Sequence, residues 1–196
     1  MPATVTENRD GAEYIYSASG LANYSTPEYA SKRRHRRKFI NSYANRYEES
    51  VQDGILPLQW SQVESLYADW VAYGTEGSHD SEPDKLAIKR IMTGELKDCC
   101  DNFINILILV DKKIAGFLIL EVISRDYATC HFLKTNLNLS GLTEYMFSLM
   151  GNVLSSRGIL FLNHQDDVGV SGLRKSKLNY HPVELYEKYN IESKFS

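Results

Sequence analysis

Apolar residues along the chain follow two kinds of pattern, short continuous runs and runs with a helical period. Two short runs, ILILV (106–110) and IAGFLIL (114–120), flank the polar segment DKK (111–113). Short apolar runs on either side of a tight polar turn predict a β-hairpin. A third strand is predicted in ATCHFLKT (128–135), and a further short buried strand in ILFL (159–162). The middle of the chain is therefore expected to form an antiparallel sheet.

Apolar residues three and four positions apart predict helices on both sides of these strands. Thr26 is positioned to cap the first helix, which starts at Pro27 and runs through a basic stretch to about Asn45. Ser61 is expected to cap the second helix, and Gly74 to end it. Further helices are predicted in DKLAIKRIMTGEL (84–96), NLSGLTEYMFSLMGNVLSSRG (138–158) and GVSGLRKSKL (169–178), and further strands in EYIY (13–16), DGILPL (53–58) and PVELYEKY (182–189).

The order of these elements indicates a fold class. Three antiparallel strands followed by a strand–helix–strand crossover is the layout of the N-acetyltransferase-like (GNAT) fold. We therefore predict an α/β protein with a GNAT-like mixed, mostly antiparallel central sheet flanked by helices. Topology alone does not determine the chemistry of such a domain.

The turn that would hold coenzyme A in such a fold is poorly formed in this sequence. In GNAT enzymes a Q/R-x-x-G-x-G/A turn and the helix after it bind the pyrophosphate of CoA through backbone N–H groups. Here the turn KTNLNLSGLTEY has one glycine, Gly141, with Asn138 in the Gln/Arg position and Thr143 in the last position. An ordinary acetyl-CoA enzyme is disfavoured, and a CoA-dependent N-acyltransferase stays as an alternative.

Cysteines and the N-terminus bear on the compartment. The three cysteines, Cys99, Cys100 and Cys130, are odd in number and lack CxxC spacing, which argues against a disulfide scaffold and against zinc. We predict no metal site. Residues 1–12 are polar and lack the apolar stretch of a signal peptide, and every apolar run is far shorter than a membrane span. We predict a cytoplasmic protein without a transmembrane segment, with a disordered leader (1–12) and a single domain (13–196).

Charge is concentrated in one place. The net charge is −3, yet SKRRHRRKF (31–39) contains six cations. On a helix Arg33, Arg36 and Arg37 share one face, while Arg34 and Lys38 share another. Cations on more than one face suit an RNA backbone or an anionic membrane surface. We predict that Arg33, Arg36 and Arg37 contact phosphates, with a solvated charged helix as the alternative.

Several segments together resemble a known family. NHQDDVGVSGLRKSKLNYHP (163–182) resembles the signature N-x-x-x-D-x-G-x-x-G-L-R-x-x-K-x-x-Y-x-P of the phosphatidylglycerol lysyltransferase C-terminal-like family. EYIYSASGLANYSTPEYASKRRHRRKF (13–39) resembles the family's Tyr-rich strand and basic helix, and HFLK (131–134) its His-Phe-x-Lys strand end. The residues that match the signature are Asn163, Asp167, Gly169, Gly172, Leu173, Arg174, Lys177, Tyr180 and Pro182.

The resemblance implies an activity and partners. It implies a GNAT-like enzyme that moves an amino acid from aminoacyl-tRNA to a lipid head group or another amine or hydroxyl, without a cofactor. It makes tRNA the expected partner and an anionic lipid surface a further one. Because typical members carry two tandem halves and the resemblance covers only the C-terminal one, a homodimer is a further expectation. A non-catalytic module that binds RNA or a partner is the remaining alternative.

The chemistry of such a transfer points to particular residues. An aminoacyl ester is already activated, so the enzyme must mainly hold the acceptor near the carbonyl and stabilise the oxyanion. We take Asp167 as an ammonium acceptor, Asn163 as a hydrogen-bonding partner of the carbonyl or amide, and His131 as a candidate general base. Substrate-binding candidates are Arg174, Lys177, Tyr180, Lys134 and Tyr16. The structural alternative is that Asp167 caps the following helix and pairs with Arg174 or Lys177.

Overall fold

The computed structural model describes residues 3–54, 60–73, 82–93, 95 and 101–193. The N-terminal part forms two strands, two helices and a third strand. Pro27–Tyr29 make a 3₁₀ turn that leads into the basic helix, but the Thr26 side chain makes no cap hydrogen bond and the α-helix itself begins at Ala30. The elements of this part are β1 (Ala3–Glu7), β2 (Glu13–Ser17), α1 (Ala18–Asn23), α2 (Ala30–Tyr43) and β3 (Tyr47–Asp53).

The central part contains the predicted hairpin. Its turn residues Asp111 and Lys112 have φ of 49° and 65°, which is the left-handed conformation that two-residue hairpin turns require. The elements are α3 (Trp60–Tyr73), α4 (Glu82–Met92), β4 (Phe103–Val110), β5 (Lys113–Ser124) and β6 (Tyr127–Thr135). Gly74, most of the strand predicted in DGILPL, and the pair Cys99-Cys100 lie outside the described residues.

The C-terminal part begins with the long helix predicted after the third strand. Its elements are α5 (Leu142–Ser156), β7 (Phe161–Asn163), α6 (Ser171–Leu178), β8 (Glu184–Tyr186) and β9 (Tyr189–Ser193). The single closing strand predicted in PVELYEKY is thus two strands. β9 pairs with β1, with Val5 opposite Ile191, so residues 3–7 are a strand where we predicted a disordered leader. The pairing supplies backbone hydrogen bonds that a local pattern does not reveal.

Seven strands form the main sheet, in the order β3-β4-β5-β6-β7-β2-β8. The β6–β7 pair is parallel and all other pairs are antiparallel. The architecture is the predicted mixed, mostly antiparallel sheet flanked by helices. The position of β2 between β7 and β8 was not predicted, because it joins residues far apart in sequence.

Each face of the sheet has its own apolar core. On one face α1, α2 and α5 cover the even-numbered isoleucines of β4. On the other face α3 and α4 cover Leu107, Phe117 and Ile119. Gly151 lets α1 approach α5, since a Cβ there would overlap the backbone of Ala22. Among the described helices none is long and apolar enough to cross a bilayer.

Candidate functional site at the divergence of two strands

The parallel strands β6 and β7 stay paired for only three residues. Their last pair is Thr129 with Asn163, after which Cys130 and the rest of β6 pair with β5 alone. The chain after β7 turns the other way, and the His164 N–H donates to the Tyr14 carbonyl of β2 at 2.9 Å. Beyond the Thr129–Asn163 pair the two strands no longer hydrogen-bond to each other, and the region between residues 130–135 and 164–167 is called here the strand gap. Most of the predicted site residues lie around it.

Asp167 and Arg174 form a bidentate ion pair beside the gap. The Arg174 Nε and Nη2 donate to the two carboxylate oxygens, each at 2.8 Å. The Tyr14 hydroxyl and the Gly169 N–H also donate to Asp167, which is fully buried. These donors, Arg174 above all, hold the pKa of Asp167 well below its usual range. All of these partners are protein groups, so the geometry favours the structural alternative over the predicted ammonium acceptor.

Arg174 is tied to the N-terminal segment as well. Its Nη2 also donates to Asp10 at 2.7 Å, and Arg9 lies 3.5 Å from Asp167. The Asp167–Arg174 pair therefore fastens residues 9–14 to α6. The substrate contact predicted for Arg174 stays a prediction. In this structure its guanidinium bonds Asp167 and Asp10 and so stabilises the fold.

Lys177 places a buried ammonium group next to the gap. Its Nζ donates to the carbonyl of His164 and, at 2.6 Å, to that of Asp166. Burial lowers its pKa to about 8, although nearby anionic groups oppose the change. Tyr16 supports the same region, because its hydroxyl donates to the Lys177 carbonyl at 2.9 Å. Both predicted substrate-binding residues thus lie at the gap.

Asn163 links the end of β7 to β2 and to its own loop through its side-chain amide. Its Oδ1 accepts from the Gln165 N–H at 2.7 Å, and its Nδ2 donates to Glu13 at 2.7 Å. The first contact bends the chain directly after β7, where Gln165 has a φ of 56°. Asn163 shapes the loop, and the substrate contact predicted for it is untested.

His131 lies at a β-bulge on the opposite side of the gap. Ile119 pairs with Phe132 while Leu120 pairs with Cys130, so His131 is the extra residue. Such bulges re-aim a side chain. The ring bonds Glu121 through Nε2 at 2.7 Å and Gln165 through Nδ1 at 3.3 Å. Glu121 was missed by the sequence analysis, because nothing local marks a carboxylate ten residues earlier as a neighbour.

Lys134 points away from this group, toward α3 and α4. Its Nζ lies 3.4 Å from the Asp84 carboxylate and 3.7 Å from the centre of the Trp70 ring. Burial lowers the pKa of Lys134, and Asp84 opposes that effect. The segment HFLK marked both His131 and Lys134 as candidates. It could not reveal which face of the sheet each side chain occupies, because the bulge at His131 interrupts the alternation of the strand.

An aromatic stack lines the other side of the gap. Phe147 of α5 stacks on the ring of Tyr180 at 3.9 Å and on that of His164 at 5.1 Å. Lys32 of α2 lies 3.7 Å from the centre of the Tyr180 ring. Tyr180, a predicted substrate-binding residue, is thereby a buried packing residue. Nothing in the local sequence distinguishes Phe147 from the other residues on the apolar face of α5.

His164 is the most unusual residue of this stack. Neither Nδ1 nor Nε2 has a hydrogen-bond partner in the described part of the chain, although both atoms are buried. Burial, reinforced by the positive charge of Lys177, lowers its pKa to about 3. The imidazole is therefore neutral at neutral pH. No local sequence pattern marks His164 as different from its neighbours in the loop.

The turn that precedes α5 is covered by α2. Gly141 has a φ of 88°, and a Cβ there would overlap the backbone of His35. In the first turn of α5, Glu144 lies 3.7 Å from Lys32 and 3.5 Å from His35. Where CoA enzymes bind pyrophosphate, this chain has another helix and a carboxylate. The residues present do not fit a CoA phosphate cradle.

The arginines of α2 divide into inward and outward groups. Arg33 donates to the carbonyls of Tyr24 and Thr26, and Arg36 donates to the Ala22 carbonyl at 3.2 Å and to Ser148 at 2.7 Å. These two side chains hold the C-terminal end of α1, which differs from the phosphate contacts predicted for them.

The outward group has a different composition from the predicted one. It comprises Arg34, Arg37 and Lys38, which are exposed and pair with no other described residue. Of the three predicted phosphate contacts only Arg37 belongs to this group. The spacing of three and four residues placed the cations on helix faces but did not indicate which face packs against α1.

Comparison with known sequences gives a match over almost the entire chain. Residues 2–192 match the family model described as phosphatidylglycerol lysyltransferase, C-terminal. The chain belongs to this family. The family predicted from the sequence is thereby confirmed. No curated protein matches the sequence.

Solved structures share the fold of this chain. A conserved protein from Bacteroides thetaiotaomicron is 26% identical with a TM-score of 0.81, and the match covers 96% of this chain and 61% of that one. L-PGS from Bacillus licheniformis is 14% identical with a TM-score of 0.64, covering 96% and 60%. The chain thus spans about three-fifths of these relatives.

A third structure bears on the fold alone. A tandem GNAT protein from the clavulanic acid biosynthesis pathway is 9% identical, with a TM-score of 0.52 and coverage of 95% and 54%. Together with the sheet order, this likeness confirms the predicted GNAT-like fold.

Proposed function

We propose that this chain acts as an aminoacyltransferase that moves an amino acid from aminoacyl-tRNA to an amine or hydroxyl acceptor, a lipid head group or a small molecule. Membership of the phosphatidylglycerol lysyltransferase C-terminal family supports a transferase. The observation that carries the choice of donor is the contact of Gly141 with α2. In this chain α2 covers the turn that binds phosphate in a CoA enzyme. The strand gap, by contrast, is lined by polar groups.

Electrostatics around α5 support the same choice. Glu144 contributes a negative charge to the first turn, where a pyrophosphate would need the positive end of the helix. Lys32 and His35 are already engaged with that carboxylate. A donor whose charge lies outside the gap, on an RNA backbone, avoids this conflict.

The proposed reaction assigns the base to His131. With the proton on Nε2, the ring donates to Glu121 and presents Nδ1 as an acceptor, now bonded by Gln165. An incoming amine or hydroxyl displaces Gln165, and Nδ1 takes its proton as the nucleophile bonds to the ester carbonyl carbon. The carbon–oxygen bond to the tRNA ribose then breaks, and the same proton passes to the departing ribose oxygen.

The proposed binding surface for tRNA is the outward face of α2. Arg34, Arg37 and Lys38 offer three exposed cations within two helical turns. Phosphate contacts of this kind supply affinity without reading sequence.

The test is a transfer assay with a mixed pool of charged tRNA carrying radiolabelled amino acids. The chain is incubated with this pool and with anionic lipid vesicles or a small-molecule fraction of a cell extract. We expect label to leave the tRNA and to appear in an acceptor. RNA binding without any transfer would instead favour the non-catalytic module, and the proposal would fail.

A CoA-dependent N-acyltransferase is the second candidate, because the GNAT-like fold is shared with such enzymes. Calorimetry with acetyl-CoA and a longer acyl-CoA separates the two. We expect no binding of either compound at millimolar concentration, since α2 occupies the turn. Saturable binding of acetyl-CoA would favour the second candidate.

A further inference from the structure

The two ring nitrogens of His164 are buried polar atoms without protein partners. Leaving a buried donor or acceptor unpaired is costly, so native proteins rarely keep such groups without a reason. A neutral imidazole carries one N–H donor and one acceptor nitrogen. The ring can therefore form two hydrogen bonds with a bound molecule.

The fold holds this ring in a fixed position. The backbone of His164 is the first beyond the last β6–β7 pair, and its N–H is anchored to Tyr14. The ring stacks on Phe147 with an angle of 23° between the planes and meets the edge of Tyr16 at 6.2 Å. The imidazole is thus fixed at the apex of the strand gap.

The charges around the ring select the ligand atom. The Lys177 ammonium donates to the His164 carbonyl, so its positive charge lies close to the ring and, with burial, lowers the pKa of His164. A ligand atom that enters this environment is favoured if it is negative or becomes negative. Cys130, also at the apex, has its pKa raised to about 12 by burial and does not offer a thiolate nucleophile. An oxygen acceptor fits this set of groups.

We propose that His164 is a catalytic hydrogen-bond donor whose ring N–H contacts the carbonyl oxygen of the aminoacyl ester, an inference that rests on the proposed function. When the acceptor attacks, the carbonyl carbon becomes tetrahedral and its oxygen takes the negative charge. The His164 N–H stabilises that oxygen without giving up its proton, and the ammonium of Lys177 adds positive charge nearby. Collapse restores the carbonyl and expels the ribose oxygen.

The variant His164→Phe separates this role from packing. Phenylalanine keeps the stack on Phe147 and removes both nitrogens, so the unpaired polar atoms disappear. We expect the melting temperature to stay the same or rise, and kcat for transfer to fall about 10²–10³-fold, as for loss of one oxyanion donor. His164→Gln, which restores an N–H donor, should recover part of the rate. Unchanged kcat in His164→Phe would overturn the inference.

A matched control is His35→Phe, the same exchange at a histidine outside the gap. We expect its kcat to stay within about twofold of the wild type, because His35 contacts Glu144 and not the gap. A fall as large as that of His164→Phe would show that the loss is unspecific and would contradict the inference.

A binding measurement distinguishes failure of this inference from failure of the proposed function. Puromycin, an amide analogue of an aminoacyl-adenosine, is titrated into protein labelled with ¹⁵N at histidine. We expect the ring nitrogen signals of His164 to shift in a saturable way, whether or not transfer occurs with the tested acceptors. If the wild type transfers label but His164 does not shift with puromycin, the proposed function survives and this inference fails. If the wild type transfers nothing and His164 does not shift, both fail.

Discussion

A fully buried carboxylate survives at Asp167 because five hydrogen-bond and charge contacts surround it. The bidentate Arg174 and the Tyr14 hydroxyl replace the water that the carboxylate loses on burial. Buried ion pairs contribute little net stability when intact. Removing one partner is nevertheless strongly destabilising, because the other charge is left buried and unpaired. The pair therefore acts as a clasp between the N-terminal segment and α6, and the signature residues of the family include both members.

Asp167→Asn is expected to lower the free energy of unfolding by about 3 kcal/mol, because it removes the negative charge and one acceptor oxygen and leaves the Arg174 charge unpaired. The pKa of Asp167 is depressed in the folded protein, so its contribution is complete above the ordinary carboxyl pKa and is lost as pH falls below it. Urea denaturation at several pH values measures both effects. Asp166→Asn is the control, and an equal loss there would contradict the assignment.

Lys177 carries the opposite kind of pH dependence. Burial depresses its pKa to about 8, so between about pH 8 and 10.5 the unfolded chain binds more protons than the folded one. Stability of the wild type should therefore rise across this window relative to Lys177→Met, by up to about 3 kcal/mol. Denaturation at pH 7 and pH 9.5 measures the difference. If the free energies of unfolding of the two proteins changed in parallel with pH, the depressed pKa of a buried Lys177 ammonium would be contradicted.

Among the elements, α2 packs against α1 through its inward face and is proposed to bind RNA through its outward face. The triple variant R34E/R37E/K38E should bind tRNA more weakly, and the slope of log affinity against log salt should fall by about 2, while the melting temperature stays the same. Arg36→Ala is the matched opposite: it should lower stability by about 1–2 kcal/mol through the lost bonds to Ala22 and Ser148 and leave RNA binding intact. The reverse pattern would refute the division of faces.

The contact between α2 and the start of α5 can be tested with two glycines of similar backbone conformation. Gly141 and Gly158 have φ of 88° and 78°, but a Cβ at Gly158 meets nothing within 4 Å. Gly158→Ala should cost about 1 kcal/mol, the backbone term alone. Gly141→Ala should cost clearly more, since α2 must move. Equal losses in thermal denaturation would mean that α2 does not close the turn.

At the scale of the whole molecule, local patterns foretold the elements better than their assembly. The hairpin at Asp111 and the helix beginning at Leu142 followed from periodicity and turn chemistry. The insertion of β2 between β7 and β8, and the pairing of β1 with β9, depend on contacts between distant segments. Those contacts leave no local trace in the sequence.

The candidate site was predictable to the same limited degree. The signature brought Asp167, Arg174 and Lys177 together because they are close in sequence. Glu121 joins His131 only across a strand pair, and Phe147 looked like any apolar residue of a helix. The unpaired nitrogens of His164 are a property of its surroundings, which only the folded structure reveals.

The proposed aminoacyl transfer is tested most directly by the single-turnover rate at which a labelled amino acid leaves aminoacyl-tRNA for an acceptor. We expect first-order transfer by the wild-type chain that excess CoA does not slow, and a large drop in rate for His131→Asn at unchanged stability. Charged tRNA that keeps its label beyond the spontaneous hydrolysis rate, together with acetyl transfer from acetyl-CoA, would contradict it.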